Sequence, residues 1–364
     1  MNLKGRIMVE ILKKGWITRK ELLKKFGVAK STLSYVISDL KNEKKVKISK
    51  RVKGRGRPEE IISMNPNAWR TIGVKIGREA VVGVLMDASL KELDTSFEMI
   101  PHRMRNEHGS KELLRKVIDK LPKDGVVGIG LSVSGIVKNG IVVESPILNL
   151  KGVDFKKDIE GFGVSEVMGD IRSLAIYEVM KYGGDDFLVV NYGLGIGAGL
   201  YRKGKFNYLP IGHVVVEENG EECYCGKRGC LETVASDYAN LKSFTNGNFT
   251  IKEFVEYEHE KYYEKLKELW KLSKEEREDI RKHYEKSIKY LGSVLGNLSF
   301  LLSPKKIVLY GEGTSIWMSK MLEERIKKVF DEKARVVYRK ELDAFEKGAA
   351  YSVTIAAIKR GVIS

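Results

Sequence analysis

All three cysteines of this chain fall within eight residues, Cys223-Tyr-Cys225-Gly-Lys-Arg-Gly-Cys230, and His213 lies ten residues upstream. Three thiolates and an imidazole are the ligand set of a tetrahedral Zn²⁺ site, so this stretch must fold back until four side chains meet at one point. Gly226 and Gly229 give the backbone the freedom to turn that sharply. An odd cysteine count, with no other cysteine in the chain, argues against disulfides. Four protein ligands leave no open coordination position. The expected zinc is therefore structural, a staple for a loop, with a catalytic zinc or a redox set as the alternative.

The composition, 43% apolar and 31% charged over 364 residues, is that of a soluble globular chain of two or three domains. The longest apolar run, 291–302, is broken by Gly, Ser and Asn and falls short of the ~18 residues of a membrane span. Lys4, Arg6 and Glu10 occupy the place of a signal peptide's apolar core. A cytoplasmic protein with no membrane partner is expected. The absence of Gln amid abundant Lys and Glu suits a heat-adapted source.

The charge is unevenly spread. Residues 1–60 hold 18 Lys and Arg against 6 Asp and Glu, whereas the remaining 304 hold 47 against 43. Three quarters of the net +16 thus sits in one sixth of the chain, as in a nucleic-acid-binding module fused to a near-neutral body. A solvated Lys-rich surface would give the same count.

The pattern of the basic head separates these readings. A helix is expected over 3–14, stopped by Gly15, and Thr18-Arg-Lys-Glu21 forms a capping box for a second helix reaching about Lys25. After a turn at Gly27, a third helix from about Ala29 to Lys41 carries Leu33, Val36, Ile37 and Leu40 on one stripe. Its other face shows Lys30, Ser31, Thr32, Ser34, Tyr35 and Ser38, small hydrogen-bonding groups suited to a major groove. Two β-like runs, 46–49 and 60–64, flank Arg51-Val-Lys-Gly-Arg55-Gly-Arg57-Pro58, whose arginines suit a narrow minor groove or phosphates. The expectation is a winged helix-turn-helix that binds double-stranded DNA; a three-helix protein-interaction domain is the alternative.

From Thr71 the texture becomes α/β. Residues 71–87 read as two strands with a turn, a third strand follows near 92–100, a helix over 111–120, and an apolar strand over 126–133. The pattern returns at 187–201, again strand, Gly-rich turn, strand; helices fill most of 251–300, and a strand at 306–310 ends in Gly311-Glu-Gly313. A duplicated α/β body of two lobes is expected. Gly193, Gly195, Gly197 and Gly199 alternate with larger residues, as in a turn that admits a phosphate or in a plain tight hairpin.

Taken together, Gly212-His213, the Cys-x-Cys-Gly-x-x-Gly-Cys-Leu-Glu232 segment, Gly-Ile-Gly-Ala-Gly199 and the Gly-Arg-Gly-Arg-Pro58 wing resemble the ROK family (repressors, open reading frames, kinases). The wing resembles the family's repressor branch, the xylose- and N-acetylglucosamine-operon regulators. The resemblance implies a winged helix-turn-helix over 1–66, then a two-lobed actin-like, sugar-kinase-type ATPase fold. Lobe 1 would span 67–185 and lobe 2, with the zinc loop, 186–364; sugar would bind between the lobes. It assigns zinc to His213, Cys223, Cys225 and Cys230, and sugar contacts to Asp170, Glu232, Asn149, Ser134 and Gly135. Gly193, Gly195 and Gly197 correspond to a phosphate loop. Ordinary carboxylates, and a plain turn at Asn149, are the bland alternatives.

Several kinase features are altered. The family's Asp-x-Gly-Gly-Thr loop reads Lys75-Ile-Gly-Arg-Glu79 here, placing cations where ATP-Mg²⁺ would need an acid and a glycine. Glu-Asn-Asp-x-Asn reads Met168-Gly-Asp170-Ile-Arg172, so the family's general base survives without its asparagines. Glu-x-Gly-His reads Pro210-Ile-Gly-His213, which keeps the zinc histidine and loses a sugar-gripping glutamate. The expectation is a sugar-responsive transcription repressor acting as a homo-oligomer rather than an enzyme, with an ATP-dependent hexose or N-acetylhexosamine kinase as the rival; ATP/Mg²⁺ binding is not expected.

Overall fold

A computed structural model describes residues 1–51, 59–330 and 334–363; the expected wing arginines Arg55 and Arg57 lie outside them. The chain divides into two compact units, Met1–Gly183 with Ala344–Ser364, and Gly184–Asp343.

The first unit opens with α1 (Leu3–Lys14), capped by the Asn2 side chain and ended by Gly15 at φ +76°. Strand β1 (Trp16–Thr18) leads into α2 (Arg19–Phe26) through the expected capping box. The Glu21 amide donates to the Thr18 hydroxyl at 3.2 Å, and the Thr18 amide donates to the Glu21 carboxylate at 2.9 Å. That amide, with Lys14 beside it, holds the Glu21 carboxyl down at about 2. Gly27 takes the left-handed conformation, φ +63°, and α3 (Lys30–Asn42) follows with Leu33, Ile37 and Leu40 buried. Strands β2 (Val46–Arg51) and β3 (Glu59–Met64) pair antiparallel. Strand β1 adds to the other side of β3, giving the order β1-β3-β2. Three residues are too few to show a strand period, which is why β1 has no sequence signal.

The same unit continues through β4 (Arg70–Ile76), β5 (Ala80–Asp87), β6 (Glu92–Met99), α4 (Glu107–Lys120) and β7 (Val126–Val133). After these come β8 (Ile136–Lys138), β9 (Ile141–Ser145), β10 (Leu150–Asp154), α5 (Lys156–Ile159), β11 (Val164–Gly169) and α6 (Asp170–Tyr182). The main sheet runs β11-β7-β4-β5-β6, with the first three strands parallel and the last two antiparallel. Strands β8 to β10 form a small antiparallel sheet. Ile72, Val74, Leu114, Val117, Ile129 and Leu131 anchor the core between α4 and the sheet.

The second unit contains β12 (Asp186–Tyr192), β13 (Ile196–Arg202), β14 (Lys205–Leu209), α7 (Leu231–Ala235), α8 (Asp237–Thr245) and α9 (Ile251–Glu253). Helices α10 (His259–Lys274) and α11 (Glu278–Leu302), strand β15 (Ile307–Tyr310), α12 (Ile316–Phe330) and β16 (Val336–Tyr338) complete it. Its sheet, β14-β13-β12-β15-β16, repeats the first: three parallel strands and two antiparallel ones.

The last helix, α13 (Ala344–Lys359), belongs to the first unit, so residues 344–364 depart from the expected 186–364 lobe. The physical reason is backbone fit. A Cβ on Gly73 of β4 would stand 1.9 Å from the Glu346 carbonyl oxygen, and one on Gly130 of β7 would stand 2.1 Å from that of Ala349. Only a sheet carrying glycine at those positions lets a helix lie so close.

Candidate effector site and metal centre

The zinc-ligand candidates converge as their types require. Cys225 Sγ and Cys230 Sγ are 3.6 Å apart, Cys223 Sγ and His213 Nδ1 are 3.7 Å apart, and all four donor atoms lie within 4.8 Å of one another. A tetrahedral ion ~2.3 Å from sulfur and ~2.0 Å from nitrogen separates its ligand atoms by roughly 3.5–3.8 Å, so the set fits Zn²⁺. The loop closes because Gly229 takes φ +65° with its α-carbon pressed on Glu217; a Cβ there would overlap the Glu217 carbonyl oxygen at 1.5 Å. Burial pushes the Cys230 thiol up to about 11 and the Cys223 thiol further.

Glu232, one residue into α7, is 3% exposed and joins the metal loop to the glycine turn. The Ile196 amide donates to Oε2 at 2.8 Å and the Tyr224 hydroxyl donates to Oε1. Burial lifts its carboxyl above the usual 4.5, while His213, Tyr224 and the Ile196 amide draw it back. Gly195 and Gly212 make room for this carboxylate, since a Cβ on either would lie 3.2 or 2.6 Å from Oε2. Gly193 and Gly195 form the turn between β12 and β13, with the Gly193 amide donating to the Gly195 carbonyl at 3.1 Å, and Gly197 lies in β13. The Asp237 amide at the start of α8 donates to the Gly193 carbonyl at 2.9 Å. Tyr224, inside the Cys-x-Cys segment, is a site residue the sequence reading missed; its signal was being the one aromatic between the ligands.

In the first unit, Asp170 opens α6, and the Ile171 amide donates to its Oδ1 at 2.8 Å. The residue keeps some surface, yet its carboxyl is enclosed. Burial pushes it above the ordinary 3.8, against the pull of the Lys75 ammonium, the Ile171 amide and the Ser134 hydroxyl. Gly135, at φ +142°, lies beside Gly169, whose Cβ would meet the Gly135 carbonyl at 3.1 Å. Asp170, Ser134 and Gly135 are thus brought together. Asn149 is exposed in the left-handed conformation, φ +50°, where it ends the turn 146–148. Lys75 Nζ stands 3.6 Å from the centroid of the Phe345 ring, a cation–π contact that no sequence signal announced.

On the head, Lys30, Ser31, Thr32, Ser34, Tyr35 and Ser38 of α3 are all exposed, and Tyr35 is 73% so. No described helix is long and apolar enough to cross a membrane.

The sequence profile described as the ROK family matches residues 71–347. The chain belongs to the ROK family. It is 29% identical over 260 residues to the xylose repressor of Bacillus subtilis (strain 168), covering 65% of this chain and 66% of that protein. It is 28% identical over 245 residues to the N-acetylglucosamine repressor of Escherichia coli O6:H1, covering 62% and 60%. The matched region therefore spans 60–66% of the length of these curated relatives. Among solved structures, a ROK family transcriptional regulator described as a homologue of the E. coli MLC protein superposes with TM-score 0.74 at 20% identity, over 99% of both chains. The ROK glucokinase of Streptomyces griseus superposes with TM-score 0.62 at 19% identity, over 77% of this chain and 98% of that one. These likenesses give the fold: the mixed α/β, actin-like architecture of ROK sugar kinases. The turn after β4 is filled by Arg78, buried beside Glu79 at 3.7 Å.

Proposed function

We propose that this ROK protein is a sugar-responsive, DNA-binding transcription repressor. The observation that carries the reading is the α3 surface. Five small or basic polar residues and Tyr35 face solvent on the segment that holds three quarters of the net positive charge. In this reading α1 to α3 and the β2–β3 hairpin form a winged helix-turn-helix. Lys30, Ser31, Thr32, Ser34 and Tyr35 enter the major groove, and Arg55 and Arg57 grip the minor groove or phosphates. One such module covers little DNA, so a homo-oligomer on paired half-sites in the cytoplasm is part of the proposal.

The body is the sensor. In the first unit Asp170 accepts hydrogen bonds from sugar hydroxyls, with Ser134 and Gly135 beside it and Asn149 as a further contact; Glu232 is the sugar-contacting residue of the second unit. Zinc on His213, Cys223, Cys225 and Cys230 is structural: it braces the loop whose Tyr224 fixes Glu232. Gly193 and Gly195, with Gly197 beyond them in β13, are a phosphate-loop-like turn. Separately, in the first unit, Lys75 and Arg78 put cations where ATP-Mg²⁺ would need an acid and a glycine, so ATP is not part of the proposal. The xylose and N-acetylglucosamine repressors that share its family supply the effector class.

The test uses the full-length chain and a duplex selected by it from a random pool. Affinity at ~0.15 M salt should fall steeply as salt rises, because phosphate neutralisation supplies most of the grip. D-xylose, D-glucose and N-acetylglucosamine are then added in turn, and the effector must shift both melting temperature and DNA affinity. Arg55→Ala or Arg57→Ala should weaken binding with the melting temperature unchanged. A second reading, an ATP-dependent sugar kinase, rests on the enclosed Asp170 carboxyl, whose raised pKa suits a general base. Turnover above roughly 1 s⁻¹ in a coupled assay with ATP and the same sugars would establish it.

A further inference from the structure

The Asp170 region and the DNA-binding head share one compact unit, and a single helix touches both. At its start, Phe345 in the first turn of α13 lies under Lys75 Nζ at 3.6 Å, and the charge of Lys75 acts on Asp170. The Phe345 carbonyl accepts from Ser173 Oγ at 2.6 Å, and Ser173 belongs to α6, the helix that Asp170 opens. The start of α13 is thus held both by the helix that Asp170 opens and by the cation whose charge reaches Asp170.

Along its length α13 has little room to move independently of its bed. Glycines bring backbone onto backbone at Gly73 against Glu346, Gly130 against Ala349, and Gly348 against Ser173, where a Cβ would lie 1.9 to 2.1 Å from a carbonyl oxygen. Tyr177 of α6 stacks on Tyr351 with centroids 5.8 Å apart, and Thr71 bonds Thr354 at 3.1 Å. Close-packed contacts of this kind shift together rather than deform. The sixteen residues of α13 reach ~24 Å at 1.5 Å per residue.

At its far end α13 meets the head. Ile358 Cγ2 packs on Gly5 of α1, where a Cβ would lie 3.1 Å away. The neighbouring Lys4 reaches Asp39 at 2.8 Å and Glu43 at 2.6 Å, at the C-terminal end of α3. The path runs from α6, which Asp170 opens, through the Ser173–Phe345 bond and along α13 to Ile358, Gly5, the adjacent Lys4 and the helix whose outer face is Lys30 to Tyr35, with Lys75 resting on Phe345 at its start.

We infer that α13 is the element through which the Asp170–Lys75 site sets the position of α3, with Phe345 and Ile358 as positioning residues at its two ends. This inference rests on the repressor reading above. A ligand that pairs with Asp170 or displaces Lys75 favours one seating of α13, and α1 and α3 follow because Lys4 ties them together.

A double-mutant cycle on the full-length protein tests it by DNA affinity, measured by fluorescence anisotropy on the selected duplex. Lys75→Met removes the cation at the sensing end without touching the head and should change affinity at least fivefold. In an Ile358→Ala background the same change should move affinity less than twofold. Ile358→Ala opens a cavity, so Lys4→Met, which severs the later link, is run in parallel and should mute the Lys75→Met effect as well. A helix that merely anchors the head predicts additive effects. An undiminished Lys75→Met effect in both backgrounds, or no effect in the wild-type background, overturns the inference while leaving DNA binding intact. Failure of the wild-type chain to bind any duplex is a different result, which takes down the repressor reading and this inference together.

Discussion

The two halves of the body build the same sheet and use its first hairpin differently. In the first unit the β4–β5 turn is packed with charge: Lys75 lies on Phe345, and Arg78 is buried beside Glu79. In the second unit the equivalent β12–β13 turn is Gly193-Leu194-Gly195, open above Gly193 and supported from below by Glu232, Tyr224 and the metal loop. One backbone arrangement thus serves two ends. A turn filled by side chains is committed to its own helix, whereas a turn left bare keeps an approach for a ligand. The first unit's hairpin has become part of an internal contact to α13. The second stays bare, and its supporting Glu232 is fixed from the His213–Cys230 loop, whose ligand set fits a metal staple.

Removing that staple should give the largest effect. Cys225→Ser, or prolonged chelation of the purified protein, should release stoichiometric zinc and lower the melting temperature by about 10 °C or more, since structural zinc contributes directly to folding. Full metal retention with unchanged melting would mean that the second turn stands without its brace. Next in size is the contrast between glycines. Gly130→Ala drives a methyl into the Ala349 carbonyl and should cost about 3 kcal/mol or more, whereas Gly193→Ala, whose nearest neighbour would be 3.9 Å away, should cost less than about 1 kcal/mol. Equal costs in urea unfolding would erase the distinction between a packed and an open turn.

A pH effect belongs to the second unit. Asp237 is fully buried with the Trp270 indole donating to Oδ2 at 2.7 Å, and a Cβ on Gly313 would lie 2.5 Å from Oδ1. Burial pushes its carboxyl to about 7 from an ordinary 3.8, despite the Trp270 bond. The folded chain therefore binds a proton that the unfolded chain has already lost between these values. The stability this proton confers is present below the unfolded value and is lost as pH rises through about 7. Melting temperature should fall between pH 5 and pH 8, and Asp237→Asn should flatten that slope; an unchanged slope removes Asp237 as its source. Smallest is Tyr224→Phe, which takes one of two partners from the Glu232 carboxylate and should cost about 1–3 kcal/mol by the same unfolding measurement, with zinc content unchanged.

Local chemistry was legible in the sequence and long-range contact was not. The Thr18 capping box, the buried stripe of α3, the strand 126–133 and the cysteine cluster each declare themselves within a dozen residues, and each lies where the pattern put it. Helices α6 and α13 gave no such signal, because both are buried around most of their circumference and lack the one-sided apolar stripe that marks a surface helix. The return of α13 to the first unit is written in Gly73, Gly130 and Gly348, whose purpose shows only when the opposing backbone is known. Lys75 and Phe345 are 270 residues apart, and nothing local to either names the other. At the site, His213 and the cysteines were readable from spacing. The bonds that fix Glu232 come from Ile196 and Tyr224, set by a sheet and a loop that only the fold brings together.

The account turns on whether sugar binding is felt at the DNA. The direct measurement is the affinity of the full-length chain for its selected duplex at ~0.15 M salt, titrated with whichever of the three sugars raises its melting temperature. The account predicts a shift of at least tenfold, equivalent to about 1.4 kcal/mol of coupling between the two sites. A sugar that stabilises the protein yet leaves DNA affinity unmoved, or a chain that ignores duplexes while turning over ATP, would contradict it.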